Sequence, residues 1–329
     1  MTNKVPYSQL PNFQRKNLED LLPLPMPLSF QIEPTNVCNF RCGGCPHTLP
    51  DYKQIVGYYQ HMEMPLFEKI IKDIQEMGRA KTIKLYNYGE STLHPNLGEM
   101  IRSSKTVADR VELTSNGTQL TDKLNMEFIT HKLDYLRFSI YGVTQATNEN
   151  FTKTKIGVDK IYSNILRLRD TRNSMGSIYP FIYVKMFETT SQEEVEIFKK
   201  LYEGIADEVG IEYVHNLSGY DNIEQKISIK IPKHTPKKIC PAPFYQTVVG
   251  ANGDVTICCA DWTFSSKVGN LKEQSLSEIW NGKNLRKLQQ LLLEGRAGEI
   301  ESCKNCTWNW SHPDNIDNIS DEIKGRFYK

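Results

Sequence analysis

Leu28-Ser29-Phe30-Gln31-Ile32-Glu33-Pro34-Thr35-Asn36-Val37-Cys38-Asn39-Phe40-Arg41-Cys42-Gly43-Gly44-Cys45-Pro46 joins a short apolar run to a loop holding three cysteines. The run 28–32 reads as a buried strand, which places the loop at a strand's C-terminal end. The spacing is Cys-x3-Cys-x2-Cys. A complete iron–sulfur cube takes four thiolates, so three would leave one iron open to a ligand from outside the protein, such as an amino acid's amine and carboxylate. A zinc site built from the same cysteines and His47 is the alternative, although the single residue between Cys45 and His47 departs from the usual zinc spacings.

Working outward, helical periodicity at 65–77, 97–104, 122–131, 160–173 and 192–203 alternates with strand-like runs at 82–86, 110–113, 135–140, 181–187 and 209–214. About six strand–helix repeats argue an α/β fold with a parallel sheet and crossover helices. Ligands of such sheets gather at the carboxyl ends of the strands. The residues there are Asn87-Tyr88-Gly89-Glu90, Ser115-Asn116-Gly117, Tyr141-Gly142 and His215-Asn216. Taken singly, each of these loops is also explained as a turn shaped by Gly and Asn.

The pattern lapses into polar and basic residues with two prolines around 218–236. The expected organisation is an extension over 1–27, a core over 28–217, a linker over 218–239, a smaller domain over 240–312 and a polar tail over 313–329. In the smaller domain, 244–249 and 254–259 alternate around Ala251-Asn252-Gly253, a hairpin signal, and a helix is expected over 276–293.

Charge is nearly balanced, 40 Lys plus Arg against 39 Asp plus Glu, which gives no electrostatic reason to expect nucleic acid or an acidic membrane surface. No signal-peptide run or membrane-spanning stretch is apparent, so a cytoplasmic location is expected. Reduced thiols are the rule there, and the distal cysteines Cys240, Cys258, Cys259, Cys303 and Cys306 read as metal ligands or catalytic groups before disulfides.

Residues 33–46 resemble the signature loop of radical S-adenosylmethionine (radical SAM) enzymes. The resemblance implies a partial (β/α)6 barrel and a SAM-binding [4Fe–4S] cluster on Cys38, Cys42 and Cys45. It also implies a 5′-deoxyadenosyl radical that abstracts hydrogen, and an external one-electron donor such as flavodoxin or ferredoxin. Gly89 and Glu90 are similar to that family's glycine–glutamate motif, which contacts the methionine amine. Ser115, Asn116 and Ser139 stand where relatives approach the ribose and carboxylate. Many relatives carry an aromatic residue just before the third cysteine, where this chain has Gly44.

The distal cysteines, with Gly253-Asp254-Val255 and Ile279-Trp280-Asn281, resemble the SPASM/twitch extension of these enzymes, a small hairpin-plus-helix domain. His312 stands where the longer SPASM form would continue its cysteines, so one auxiliary [4Fe–4S] cluster on Cys240, Cys258, Cys303 and Cys306 is implied. A structural zinc on the same four thiols is the competing reading. Cys259 is left over, expected on the opposite hairpin face from Cys258, as a buried small residue or a hydrogen-atom donor.

The cysteine spacing resembles that of twitch aminocyclitol (scyllo-inosamine) dehydrogenases. This implies oxidation of a secondary alcohol of a sugar or aminocyclitol to a ketone, with the auxiliary cluster accepting the electron. A sugar epimerase using Cys259 and a peptide-modifying maturase are the alternatives. The residues before the first strand are expected to be too few for a leader-binding domain, which favours a small molecule over a peptide. Candidate bases for the hydroxyl proton are His215, Asp261, Glu188 and Tyr88, with His215 preferred and Asp261 expected to brace the hairpin.

Overall fold

The computed structural model describes residues 16–187, 191–212, 237–304, 306, 309 and 312–328. Its strands, in chain order, are β1 (Ser29–Ile32), β2 (Ala80–Lys84), β3 (Ala108–Ser115), β4 (Tyr135–Ile140), β5 (Phe181–Phe187), β6 (Glu208–Glu212), β7 (Gln246–Val249), β8 (Asp254–Thr256) and β9 (Lys267–Asn270). The helices are α1 (Tyr52–Val56), α2 (Met64–Met77), α3 (Leu97–Val107), α4 (Asp122–Thr130), α5 (Gln145–Thr152), α6 (Val158–Ser174), α7 (Gln192–Tyr202), α8 (Leu276–Trp280), α9 (Lys283–Leu293) and α10 (Asp321–Phe327). Among the described residues all strands join one sheet in the order β6-β5-β4-β3-β2-β1-β7-β8-β9. Pairing is parallel from β6 through β1 to β7, and antiparallel across β7-β8-β9.

The strands alternate sharply. Ile83, Val111, Leu113, Leu136, Phe138, Ile182, Val184 and Met186 are fully buried, on the face packed by the crossover helices. The intervening positions Lys84, Glu112, Arg137, Lys185 and Glu212 share the concave face and interact there. Successive strand side chains point to opposite faces, so the pleat alone separates an apolar shell from a polar lumen.

The six strands and five long helices of the first part fall where the periodicity places them. Ser and Thr caps start α4 and α7: Thr121 accepts from Leu124 N–H and Ser191 from Glu194 N–H. The second part holds the expected hairpin and departs from expectation twice, in its helix and in its tail. Its hairpin extends the barrel sheet through the β1–β7 pairing. The helix expected over 276–293 is two, because Asn281-Gly282 ends α8 and caps α9; a Cβ at Gly282 would lie 2.7 Å from the Glu278 carbonyl oxygen. The expected polar tail is packed, with Ile316, Ile319 and Phe327 buried and Phe327 set edge-on to Phe244 at 5.3 Å.

Candidate active site

The cysteine loop leaves β1 and is held by its own backbone. Cys45 N–H donates to the Cys42 carbonyl at 2.9 Å, and Arg41 binds the carbonyls of Cys38 and Phe40 at 2.8 and 2.7 Å. Burial pushes all three thiols up, Cys38 to about 12, Cys45 to about 11 and Cys42 well above the ordinary thiol range. The charges of Cys45 and Cys38 oppose ionisation of Cys42 further. Phe40 N–H points at Cys38 Sγ, 3.4 Å away. Enclosed thiols that hinder one another's ionisation, with an amide aimed at sulfur, fit a cluster whose irons replace the protons.

Among the described residues no three His, Cys, Asp or Glu side chains are grouped as ligands of a single metal ion. His47, the fourth ligand of the zinc alternative, packs on the Tyr52 ring at 4.1 Å, and burial lowers its pKa to about 4. Tyr141, just past β4, provides an aromatic neighbour that the loop itself lacks at Gly44. Its hydroxyl hydrogen-bonds Cys42 and Ser139, and its ring stacks on Phe151 at 5.0 Å.

Of the residues expected to contact S-adenosylmethionine, Gly89, Glu90, Ser115 and Asn116 come together, and Ser139 lies apart from them beside Tyr141. The Glu90 carboxylate accepts from Ser115 Oγ at 2.8 Å, Asn116 N–H at 2.7 Å, and Thr92 N–H and Oγ1 at 3.1 and 2.6 Å. Asn116 Nδ2 donates to Asn39 Oδ1 at 2.8 Å, which ties this cradle to the cysteine loop. Glu90 N–H reaches the Val37 carbonyl at 2.9 Å. A Cβ on Gly89 would lie 1.9 Å from the Thr35 carbonyl oxygen, so only glycine permits this approach of the two loops.

At the distal group, Cys240, Cys303 and Cys306 lie within one another's electrostatic reach, as do Cys240 and Cys258. Burial pushes Cys240 to about 12 and Cys303 to about 11. Ala260 N–H points at Cys258 Sγ at 3.3 Å, the same amide-to-sulfur device as in the first loop.

The expectation that Cys259 faces away from Cys258 fails. β8 ends at Thr256, so both cysteines lie in a turn outside the pleat, and their thiols are hydrogen-bonded. The Cys258 bond, with Lys84 and Arg137 nearby, lowers Cys259 to about 7 despite its burial.

Asp261 is buried and committed. It accepts from Thr256 Oγ1, from Ser265 N–H and Oγ at 3.0 and 2.9 Å, and from Ser266 N–H at 2.9 Å, so it braces the turn. Tyr88 donates to the Cys259 carbonyl at 2.7 Å, and burial raises its phenol, which makes it a poor base. His215 and Glu188 lie outside the described residues.

Between the two cysteine groups runs the polar lumen, which sequence reasoning missed. Arg110 pairs with Glu112; Lys185 and Arg137 reach Glu212 at 3.0 and 3.7 Å. Burial raises the Glu212 carboxyl, yet Lys185 and Arg137 outweigh it and hold the group below the usual carboxylate range. Burial brings Lys185 down to about 8 in spite of Glu212. The available signal was charge at every second position of otherwise apolar strands, in Lys84, Arg110-Val111-Glu112, Arg137 and Lys185.

Comparison with known proteins agrees with this architecture. The family model of the radical SAM superfamily matches residues 32–201, more than half of the chain, and that of SPASM, an iron–sulfur cluster-binding domain, matches residues 240–307. The chain is 23% identical to the S-adenosyl-L-methionine-dependent 2-deoxy-scyllo-inosamine dehydrogenase of Niallia circulans, over 84% of this chain and 91% of that one. It is 28% identical to the tungsten-containing aldehyde ferredoxin oxidoreductase cofactor-modifying protein of Pyrococcus furiosus, over 48% of this chain and 43% of that one.

Among solved structures, BtrN in complex with AdoMet and 2-DOIA is similar with a TM-score of 0.55 at 18% identity, covering 86% of this chain and 93% of that one. Streptococcus suis SuiB bound to S-adenosylmethionine gives 0.61 at 15%, covering 92% and 76%. At these identities the likeness is one of fold. A radical SAM core uses S-adenosylmethionine with a [4Fe–4S] cluster and a SPASM region binds further iron–sulfur, and the two sets of thiols, Cys42 and Cys258 buried and the others half-buried, fit both. The chain therefore belongs to the radical SAM superfamily and carries a C-terminal SPASM domain.

Proposed function

We propose that this enzyme oxidises a secondary alcohol of a sugar or cyclitol to a ketone. The observation that carries the reading is the placement of both cysteine groups on one polar lumen, with Lys185 within reach of Cys42 and Lys84 within reach of Cys259. Similarity along most of its length to a dehydrogenase that uses S-adenosylmethionine supports it. When bound, S-adenosylmethionine and the first cluster supply a carbon radical that takes hydrogen from a carbinol carbon, and one auxiliary cluster supplies a one-electron acceptor.

The chain's own part is to hold and shield. Glu90, fixed by Ser115 and Asn116, takes the methionine amine in this reading, and Ser139 stands beside Tyr141 at the first cysteine group. The hydroxyl proton requires a base, and with Asp261 fully hydrogen-bonded the role is assigned to His215, which follows β6 in sequence. A ketone formed in equal amount to S-adenosylmethionine consumed, by protein with about eight irons per chain, is the expected result. Four irons plus one zinc, or no ketone from any polyol, would sink it.

A second reading, epimerisation, is favoured by the position of Cys259 between Cys258 and the lumen cations. In that case Cys259→Ala abolishes turnover, and the product keeps the substrate's mass apart from deuterium gained from solvent.

A further inference from the structure

Among the described residues the charges of the lumen do not balance. From β2, β3, β4 and β5 come Lys84, Arg110, Arg137 and Lys185; from β3 and β6 come Glu112 and Glu212. Glu112 is taken by Arg110, and Glu212 is shared by Lys185 and Arg137. Lys84 makes no ion pair or hydrogen bond among the described residues; Tyr86, Glu112 and Cys259 act on its ammonium only at a distance, and together they outweigh burial and hold it above the ordinary lysine range. Arg137 lies over the Tyr86 ring at 5.6 Å, and its Nε donates to Thr114 Oγ1 at 3.2 Å, which leaves it beside Lys84 with only a long contact to Glu212.

An enclosed cation without a partner is costly, and a buried charge is ordinarily paired. Lys185 lies toward Cys42 and the first cysteine group, whereas Lys84 and Arg137 lie toward Cys259 and the second. The uncompensated charge is therefore on the side of the lumen that faces Cys259.

We propose that Lys84 and Arg137 form an anion subsite, and that the polyol oxidised here carries a carboxylate or phosphate in place of an amine. The inference rests on the small-polyol reading above and narrows it. Among the described residues an ammonium group in this lumen would meet four cations and two already engaged carboxylates, whereas a carboxylate or phosphate gains a charge-assisted bond from Lys84 and a planar partner in Arg137.

The test is calorimetric binding to the anaerobic, cluster-reconstituted enzyme saturated with S-adenosylmethionine, with glucose, glucosamine, glucuronate, glucose 6-phosphate and inorganic phosphate as probes. Anionic probes should bind at least tenfold more tightly than glucose, and glucosamine more weakly than glucose. Preference for glucuronate over glucose 6-phosphate identifies a carboxylate subsite, and the reverse a phosphate subsite. Lys84→Met should remove the anion preference and Lys84→Arg should keep it within about threefold, with S-adenosylmethionine affinity unchanged in both, which separates a lost subsite from a lost fold.

Equal binding of all probes, tighter binding of glucosamine, or no binding by any anion overturns the proposal. So does a Lys84→Met variant that keeps its anion preference while the auxiliary cluster's potential shifts, because Lys84 would then be a counter-charge to the cluster alone. Failure of the oxidation reading looks different: anions would still bind, and no ketone would form.

Discussion

Gly89 and Glu33 hold the cysteine loop by opposite means, one by having no side chain and the other by burying a carboxyl. In Gly89→Ala the new carbon meets backbone atoms of Thr35, at 1.9 and 2.6 Å, and backbone cannot turn aside as a side chain can. Overpacking of this kind costs about 1–3 kcal/mol, and here the strain falls on the segment leading into Cys38. The variant should keep its distal iron, bind less iron in total than wild type, and denature at lower urea.

Glu33 is almost wholly buried. It receives Tyr58 Oη at 3.0 Å, Tyr88 N–H at 3.1 Å and Ala251 N–H at 3.4 Å, yet burial outweighs these bonds and raises its pKa from 4.5 to about 7. The folded chain thus holds a proton that the unfolded chain has released, and the stability present below pH 4.5 is lost as pH climbs through 7. Glu33→Gln keeps an acceptor and cannot ionise. Its stability relative to wild type should rise between pH 5 and pH 8 by up to about 3 kcal/mol, at ~1.36 kcal/mol per pH unit; a flat difference in urea midpoints would contradict this. The sequence announces Glu90 and its partners, whose motif is local, but not Glu33, whose role depends on Ala251 arriving from more than two hundred residues away.

At the scale of elements, α10 matters more than its place at the end of the chain suggests. Phe327 packs on Phe244, in the short turn Ala242–Phe244 that follows Cys240, and its carbonyl accepts from Gln290 of α9. Asp317 accepts from Lys238 N–H at 3.0 Å and Ile239 N–H at 2.8 Å, the two residues before Cys240. Phe327→Ala should cost about 3 kcal/mol as a cavity, and the loosened ligand should be Cys240. Iron and sulfide should then fall toward half while S-adenosylmethionine binding survives; full iron with lowered stability would mean that the helix props the fold without holding Cys240. Periodicity located β1 to β6 because each βα unit is a local pattern. It read residues 313–329 as polar because the buried positions, Ile316, Ile319 and Phe327, follow no single period. It also could not reveal that β7 pairs in parallel with β1, since nothing in either strand specifies a partner so distant in the chain.

That pairing governs the whole molecule. β1 is bonded to β2 on one side and, from Ser29 opposite Gln246 to Ile32 opposite Val249, to β7 on the other. Both cysteine groups thus depend on one strand, and the expected boundary near 218–239 separates segments of sequence that share a sheet. A fragment ending at residue 236 would expose the β1 edge with its unpaired N–H and C=O groups, and such edges pair between molecules. It should therefore elute as aggregates where the full chain does not. The tryptophans supply a second check, because all four, Trp262, Trp280, Trp308 and Trp310, lie in the C-terminal part, whereas α2 to α7, which contribute most of the ellipticity, lie in the first. One cooperative unit requires guanidinium transitions followed by tryptophan fluorescence and by far-UV ellipticity to share a midpoint. If fluorescence changed at a clearly lower concentration, the distal region would be an independent domain that merely touches the barrel, and β1 would not be the strand on which both cysteine groups rely.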